Sequence, residues 1–233
     1  MIDLSCLGGN KNILNIFNIL RYKRAFAKEH PGYFRPDGLL IFCGAQGEGK
    51  TLSAVDYVKK LSWDYPRAII CTNVEIKGLN PLCKVVEYQG LESLTSIENG
   101  YYGVIYLIDE IHLEFNSLES KNIPIEVMIE VSQQRKQRKH IVGTSQQFMR
   151  LAKPLREQVK NLVICRKMFG CMQFNKLIDG STITERDGHI RMEVKKRCIW
   201  FHSPEMYDSY DTYKKMRRYR EEWQGVSRSS IYS

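Results

Sequence analysis

The segment from Gly44 to Thr51 constrains the fold of this chain more than any other feature. It reads GAQGEGKT and matches the pattern G-x-x-x-x-G-K-T, in which backbone N–H groups and a lysine surround phosphate groups. The apolar run LLIFC precedes it. Apolar residues follow at helical spacing, namely Leu52, Val55, Val58 and Leu61. A strand, a glycine-rich loop and a helix therefore occur in the order that a phosphate-binding loop (P-loop) requires.

This loop predicts binding of ATP together with Mg²⁺. Lys50 is expected to bridge the β- and γ-phosphates, and Thr51 is expected to ligate Mg²⁺. Glycines let backbone amides approach phosphates without a steric clash, and the start of the following helix adds the positive end of its dipole. The predicted nucleotide-binding residues are Gly44, Ala45, Gln46, Gly47, Glu48, Gly49, Lys50, Thr51 and Leu52.

Two acidic residues, Asp109 and Glu110, follow a second apolar run, VIYLI. At the carboxyl edge of a sheet, Asp109 is expected to hold Mg²⁺ through water and Glu110 to polarise the attacking water. This pair favours an ATPase that turns over. The sequence DEIH also matches a helicase motif, but such helicases carry two RecA-like domains, and this chain has room for one. A metal site made of Glu110, His112 and Glu114 is a less favoured alternative.

Polar residues after a later strand, VGTSQQ, are expected beside Asp109. Gln146 is the first candidate for contacting the γ-phosphate or the water, and Thr144 is the second. Upstream, Arg135 and Arg138 are candidates for an arginine that reaches the γ-phosphate of a neighbouring subunit, with Arg156 as a third. For each of these arginines, contact with DNA or exposure to solvent is the alternative to this role.

The order of elements predicts an α/β fold with a mostly parallel sheet flanked by helices. Strands are expected over residues 38–44, 67–74, 102–110, 139–147 and 161–168, and helices over residues 50–63, 91–100, 124–138 and 151–159. After Phe169, Asp-Gly turns and β-rich runs predict antiparallel strands at the sheet edge. A polar helix is expected over residues 211–224, followed by a loose tail.

These elements suggest three parts: an amphipathic helical extension over residues 1–36, a P-loop ATPase domain over residues 37–215, and a basic helix end with a tail over residues 216–233. In the extension, Ile13, Leu14, Phe17 and Leu20 form one face. We expect this face to pack on the domain or on a partner, with docking on a membrane surface as the alternative.

No run of about 18 apolar residues occurs, so no membrane span is predicted.

The seven cysteines of the chain form no C-x-x-C pair. Cys43, Cys71 and Cys165 end apolar runs and are expected to be small core residues in a reducing cytosol.

Basic residues are concentrated between Val131 and Lys167. This segment contains ten basic residues and one acid, and so it carries as much net positive charge as the whole chain, +9. Such a concentration is typical of a polyanion-binding surface, whereas pairing with nucleotide and neighbouring subunits is the alternative. The predicted nucleic-acid contacts are Lys136, Lys139, Arg150, Lys153 and Arg156.

Several motifs together resemble the Zot-like ATPases, the group of the zonula occludens toxin proteins and the assembly ATPases of filamentous phages. The resemblance rests, in chain order, on FCGAQGEGKTLSAV, AIICTNVEIKG, YLIDEIHLEFNS, the long segment from EVSQQRKQRK to VICRK, and YDSYDTYKK. It covers roughly residues 39–215. This group belongs to the FtsK–HerA class, which implies a hexameric ring with ATP at subunit interfaces and basic loops that line a pore.

The resemblance implies an ATP-driven DNA translocase for phage or viral genome packaging or virion assembly. Filamentous-phage members continue into a transmembrane segment and a periplasmic domain, for which the sequence has no counterpart. We therefore expect a motor in the host cytoplasm that loads a capsid or docks on a virion or inner membrane through a partner. The alternative is a soluble assembly ATPase, or a nucleotide-binding adaptor, that handles coat protein or a membrane partner rather than DNA.

Overall fold

A computed structural model of the protein describes residues 14–186 and 189–210. Eight strands form one sheet in the order β10-β7-β6-β1-β5-β4-β2-β3, and β8 pairs with β9 in a separate hairpin. The strands are β1 Gly38–Cys43, β2 Ile69–Thr72, β3 Lys84–Glu87, β4 Val104–Ile108, β5 Lys139–Ser145, β6 Val159–Met168, β7 Met172–Asp179, β8 Thr184–Arg186, β9 His189–Arg191 and β10 Val194–Phe201. The α-helices are α1 Leu14–Glu29, α2 Lys50–Asp64, α3 Glu92–Ser96, α4 Ile125–Ser132, α5 Gln134–Gln137, α6 Lys153–Arg156 and α7 Pro204–Tyr207.

The strands from β6 to β3 run parallel, and β7 and β10 add antiparallel strands at one edge. This arrangement confirms the predicted α/β fold class. Alternate residues of β1 enter different cores: Leu39 and Ile41 pack in one, and Leu40 and Phe42 pack in the other. A strand buried on both faces must be apolar throughout, which explains the uninterrupted runs in β1 and β4.

The structure departs from the predicted elements at several points within the described residues. Strand β3 was not predicted, because KVVE is short and mostly exposed at the sheet edge. Pro124 caps α4 instead of opening it, and the chain breaks at Gln133 before α5. Helix α3 ends at Ser96, well before Gly100. The polar helix expected over residues 211–224 and the tail lie outside the described residues.

Helix α1 confirms the expected N-terminal helix but not its packing on the domain. Phe17 is 62% exposed and Leu20 is 47% exposed, so this apolar face contacts little of the chain, whereas Ile13 lies outside the described residues. The end of the helix is linked to the domain through aromatic rings, because the Phe26 ring lies 5.2 Å from the Tyr33 ring and the Tyr33 ring lies 5.2 Å from the Tyr101 ring. None of the helices within residues 14–186 and 189–210 has the length and apolar composition needed to cross a membrane.

Cys43, Cys71 and Cys165 are buried and free, which confirms their predicted place in the core. Burial raises the pKa of Cys71 and of Cys165 to about 12. These thiols therefore remain protonated and act as small core side chains.

Stability should depend on pH through His140, which lies in β5 between Tyr57 and the Gly38 carbonyl. Gly38 O can only accept, so Nδ1 donates to it (2.9 Å), and Nε2 accepts from the Tyr57 hydroxyl (3.0 Å). Burial lowers the pKa of His140 to about 4, although the hydrogen bond to Gly38 acts in the opposite direction. In the unfolded chain this imidazole therefore takes up a proton near pH 6.5, whereas in the folded chain it does so only near pH 4.

We expect the His140 contribution to lower the free energy of unfolding by about 3 kcal/mol as the pH drops from 6.5 to about 4. Urea unfolding at several pH values measures it. His140→Asn should flatten the dependence, whereas His30→Asn should leave it in place. An unchanged pH dependence in His140→Asn would contradict this assignment.

Candidate functional site

The P-loop connects the carboxyl end of β1 to the start of α2, as the motif requires. Gly47 has φ 83° and Gly49 has φ 74°, a left-handed region that favours glycine. Gly49 precedes α2, and no side chain among the described residues caps the amides of the first helical turn. These amides and the helix dipole therefore make an anion-binding site.

Lys50 lies at the centre of this site and is buried. Its Nζ is 3.2 Å from Oε1 of Glu110, which follows β4. The lysine predicted to contact phosphates and the acid predicted to polarise water are thus in direct contact. Anionic phosphates at the loop would compete with Glu110 for this ammonium group.

Asp109 accepts two hydrogen bonds at its Oδ1. Thr51 donates from 2.8 Å and Thr144 donates from 2.5 Å. Burial raises the pKa of Asp109, whereas the hydrogen bonds from these two hydroxyl groups act to lower it. The pairing brings together the two residues that the sequence predicts for Mg²⁺, Thr51 and Asp109. Hard oxygen donors of this kind are what Mg²⁺ prefers.

Glu110 has an unusual backbone conformation for a residue with a side chain, with φ 52°. Its amide donates to the Thr144 hydroxyl (2.8 Å), and its Oε2 lies 3.2 Å from Nδ1 of His112. Ser145 Oγ lies 3.3 Å from the same His112 nitrogen. His112, expected from sequence to be a loop or helix-start residue, is therefore buried inside the site beside the proposed base.

Thr144 and Gln146 have different positions relative to this site. Thr144 is fully buried and bonds both acidic residues, through the Asp109 side chain and the Glu110 amide. The Gln146 side chain is half-buried, and its described hydrogen bond is a long one to Arg150 (3.5 Å). The second candidate, Thr144, thus contacts the acidic pair directly, and the role of Gln146 stays a prediction.

Asn73 is a site residue that the sequence reasoning missed. It follows β2, which pairs in parallel with β4, so its side chain lies beside Asp109. Nδ2 donates to the Asp109 carbonyl (3.1 Å), and Oδ1 accepts from the Asp109 amide (2.8 Å). The amide side chain therefore holds the backbone that aims both carboxylates. A polar residue at the end of the neighbouring strand was the signal that could have revealed it.

The arginine-finger candidates Arg135 and Arg138 precede the start of β5, whereas the P-loop follows the end of β1. Because the two strands are parallel, the arginines and the P-loop lie at opposite ends of the strands. Seven residues of β5 span about 20 Å, so neither arginine reaches the site of its own chain. The Arg138 guanidinium also lies over the Tyr33 ring, 4.9 Å from its centre. A role for either arginine at the site of a neighbouring chain stays a prediction.

Lys139 is a correction to the predicted nucleic-acid contacts. It is 1% exposed, and its Nζ bonds Glu130 Oε2 (2.9 Å) and the Leu94 carbonyl (2.8 Å). A buried ammonium group with these partners does not face a DNA backbone. Arg156 is half-buried, between Met149 and Glu185. The exposed members of the predicted set are Lys136, Arg150 and Lys153.

The basic segment does not form one continuous surface. Lys136 precedes β5, on the side of the sheet where the parallel strands begin, whereas Lys167 lies near the end of β6, on the side where they finish.

Within the described part of the chain, no three His, Cys, Asp or Glu side chains gather as a metal-binding group, so Glu110, His112 and Glu114 do not form the alternative metal site.

No protein-family model matches this chain. No curated protein matches it either. Among solved structures, the N-terminal domain of zonular occludens toxin from Neisseria meningitidis is similar, with TM-score 0.53 and 18% identity over 76% of this chain and 100% of that one. The genome packaging NTPase B204 from Sulfolobus turreted icosahedral virus 2 gives TM-score 0.49 and 11% identity over 67% of this chain and 96% of that one. The fold of this chain is thus a P-loop NTPase fold similar to that of the zonular occludens toxin domain.

Proposed function

We propose that this protein hydrolyses ATP with Mg²⁺ and uses the reaction to move DNA during viral genome packaging or virion assembly. The observation that carries the ATPase part is the contact of Thr51 with Asp109 beside the contact of Lys50 with Glu110. These four side chains supply a Mg²⁺ site, a phosphate-binding cation and a base in one place.

The residues fit the predicted cofactors. Thr51 and Asp109 would hold Mg²⁺, which when bound would neutralise charge on the phosphate oxygens. Lys50 would exchange its Glu110 partner for phosphate oxygens, which leaves the carboxylate able to accept a hydrogen bond from water. Thr144 would keep Glu110 aimed during this exchange, because it bonds the Glu110 amide rather than the side chain.

DNA is the proposed cargo. The proposed assembly is a homo-oligomeric ring, with the hexamer of the FtsK–HerA class as its expected form. Support comes from the motif resemblance and from the exposed cations Lys136, Arg150 and Lys153. In a ring, Arg135 or Arg138 would act on the site of a neighbour, since each lies far from the P-loop of its own chain. Capsid or membrane vertex proteins are the proposed docking partners.

A protein-handling assembly ATPase is the second candidate, and helix α1 favours it. Ile16, Phe17, Ile19 and Leu20 are all exposed, and apolar side chains grouped on a helix are typical of protein contact surfaces. In this alternative the cargo or partner is coat protein, and the basic residues pair with it or with neighbouring subunits.

Steady-state ATP hydrolysis separates these candidates. The purified protein is assayed without DNA, with single-stranded DNA and with duplex DNA, at about 50 and 200 mM salt, with Lys50→Ala as the blank. We expect stimulation by one form of DNA that weakens steeply with salt, because phosphate contacts release counterions. A hydrolysis rate that does not change with DNA would support the protein-handling alternative. Absence of hydrolysis would contradict both candidate functions.

A further inference from the structure

Gln173 is a fully buried polar residue on β7, two strands away from β1, and its side chain reaches the P-loop. Its Nε2 donates to the Glu48 carbonyl (2.9 Å) and to Oδ1 of Asn175 (2.9 Å). Both amide protons are therefore used, and one of them holds the backbone of the phosphate-binding loop. A buried amide with two partners of this kind has a defined orientation.

The loop leaves space for this side chain at Gly49. A Cβ built on Gly49 would lie 2.2 Å from Oε1 of Gln173, in addition to the strain at φ 74°. Gly49 is therefore required for two independent reasons, its backbone conformation and the volume that Gln173 occupies.

Two further contacts tie the same region to the antiparallel edge. The Lys167 amide donates to Oε2 of Glu48 (2.5 Å), and Asn175 Nδ2 donates to Oγ of Ser53 in α2 (3.2 Å). Strands β6 and β7 thus hold the loop through its backbone, through the Glu48 side chain and through the first turn of the helix that follows.

An outer layer supports Gln173 from the opposite side. Its Oε1 lies 3.2 Å from Nε2 of His202, whose Nδ1 lies 2.6 Å from the Tyr207 hydroxyl. The same hydroxyl also lies 3.1 Å from the Gly170 carbonyl in the turn between β6 and β7. Because the Gln173 oxygen can only accept, His202 must carry a proton on Nε2.

We propose that Gln173 is a positioning residue that sets the direction of the Gly49 amide toward bound phosphate. In a trans peptide the carbonyl of one residue and the N–H of the next point in opposite directions. A Glu48 carbonyl held by Gln173 therefore turns the Gly49 N–H to the other side of that peptide, away from β7. Without the bond, a peptide that precedes glycine would flip at little cost. This inference rests on the proposed binding of ATP at the same loop.

The test compares Gln173→Met, which keeps the shape, with Gln173→Glu, which keeps the acceptor for His202 but has no proton for the Glu48 carbonyl. Calorimetry measures the Kd of MgADP, and steady-state kinetics gives KM and kcat. We expect both variants to raise Kd and KM about tenfold, as loss of one buried donor predicts. At saturating ATP, kcat should stay within about threefold, because the acidic pair is untouched. Gln158→Met, at an exposed glutamine, is the matched control.

His202→Phe provides a second variant that does not depend on a buried substitution. It removes only the outer support of Gln173 and should raise the Kd of MgADP by about threefold. Unchanged Kd and KM in Gln173→Met, or a fall in kcat with KM unchanged, would overturn the inference alone. Failure of the unsubstituted protein to bind any nucleotide would overturn the proposed function together with it.

Discussion

The Glu110→Gln variant is expected to bind MgATP but to hydrolyse it at least about a hundredfold more slowly than the unsubstituted protein. The amide has the same size and keeps an oxygen within reach of Lys50, so the packing of the site is preserved. It lacks the negative charge and basicity needed to polarise water and accept its proton. Phosphate release measures turnover, and calorimetry measures binding.

Glu114→Gln is the matched control, because Glu114 is an exposed acid four residues further along the chain. It should leave turnover near that of the unsubstituted protein. If Glu110→Gln kept full turnover, the base would have to be another residue. If it lost MgATP binding instead, Glu110 would serve the structure of the site rather than the reaction.

The Lys139→Met variant is expected to lose about 3 kcal/mol of unfolding free energy, because it leaves Glu130 without its cation and Leu94 without a donor. The melting temperature should fall by about 6–12 °C for a chain of this size. DNA affinity of the folded variant should be unchanged, since the ammonium group is buried.

Lys136→Met is the contrasting variant, three residues earlier and exposed. Its unfolding free energy should change by less than about 0.5 kcal/mol, while its DNA affinity falls and the salt slope drops by about one. A stable Lys139→Met variant with weakened DNA binding would restore Lys139 as a nucleic-acid contact.

The parts of this protein that are readable from sequence are those that depend on local pattern. The run VIYLI predicts a strand buried on both faces, and β4 is such a strand. Parallel strands end at one edge of a sheet, so acids after β4 and a threonine after β1 had to approach each other. The contact of Asp109 with Thr51 follows from that rule.

The rest depends on contacts between distant parts of the chain. Lys139 reads as one of many cations in a basic segment, and only the packing of α3 and α4 on β5 reveals its burial with Glu130. Gln173 lies 125 residues from Glu48 on an antiparallel strand, and its role depends on register. No local pattern records such pairings, because they arise when the sheet assembles.

Movement of DNA is the central claim, and displacement of a bound obstacle tests it most directly. Streptavidin on single-stranded DNA and a third strand on duplex DNA are the obstacles, and Glu110→Gln is the control. The account predicts ATP-dependent displacement on one form of DNA by the unsubstituted protein and none by the variant. Rapid ATP hydrolysis without displacement on either form would contradict it.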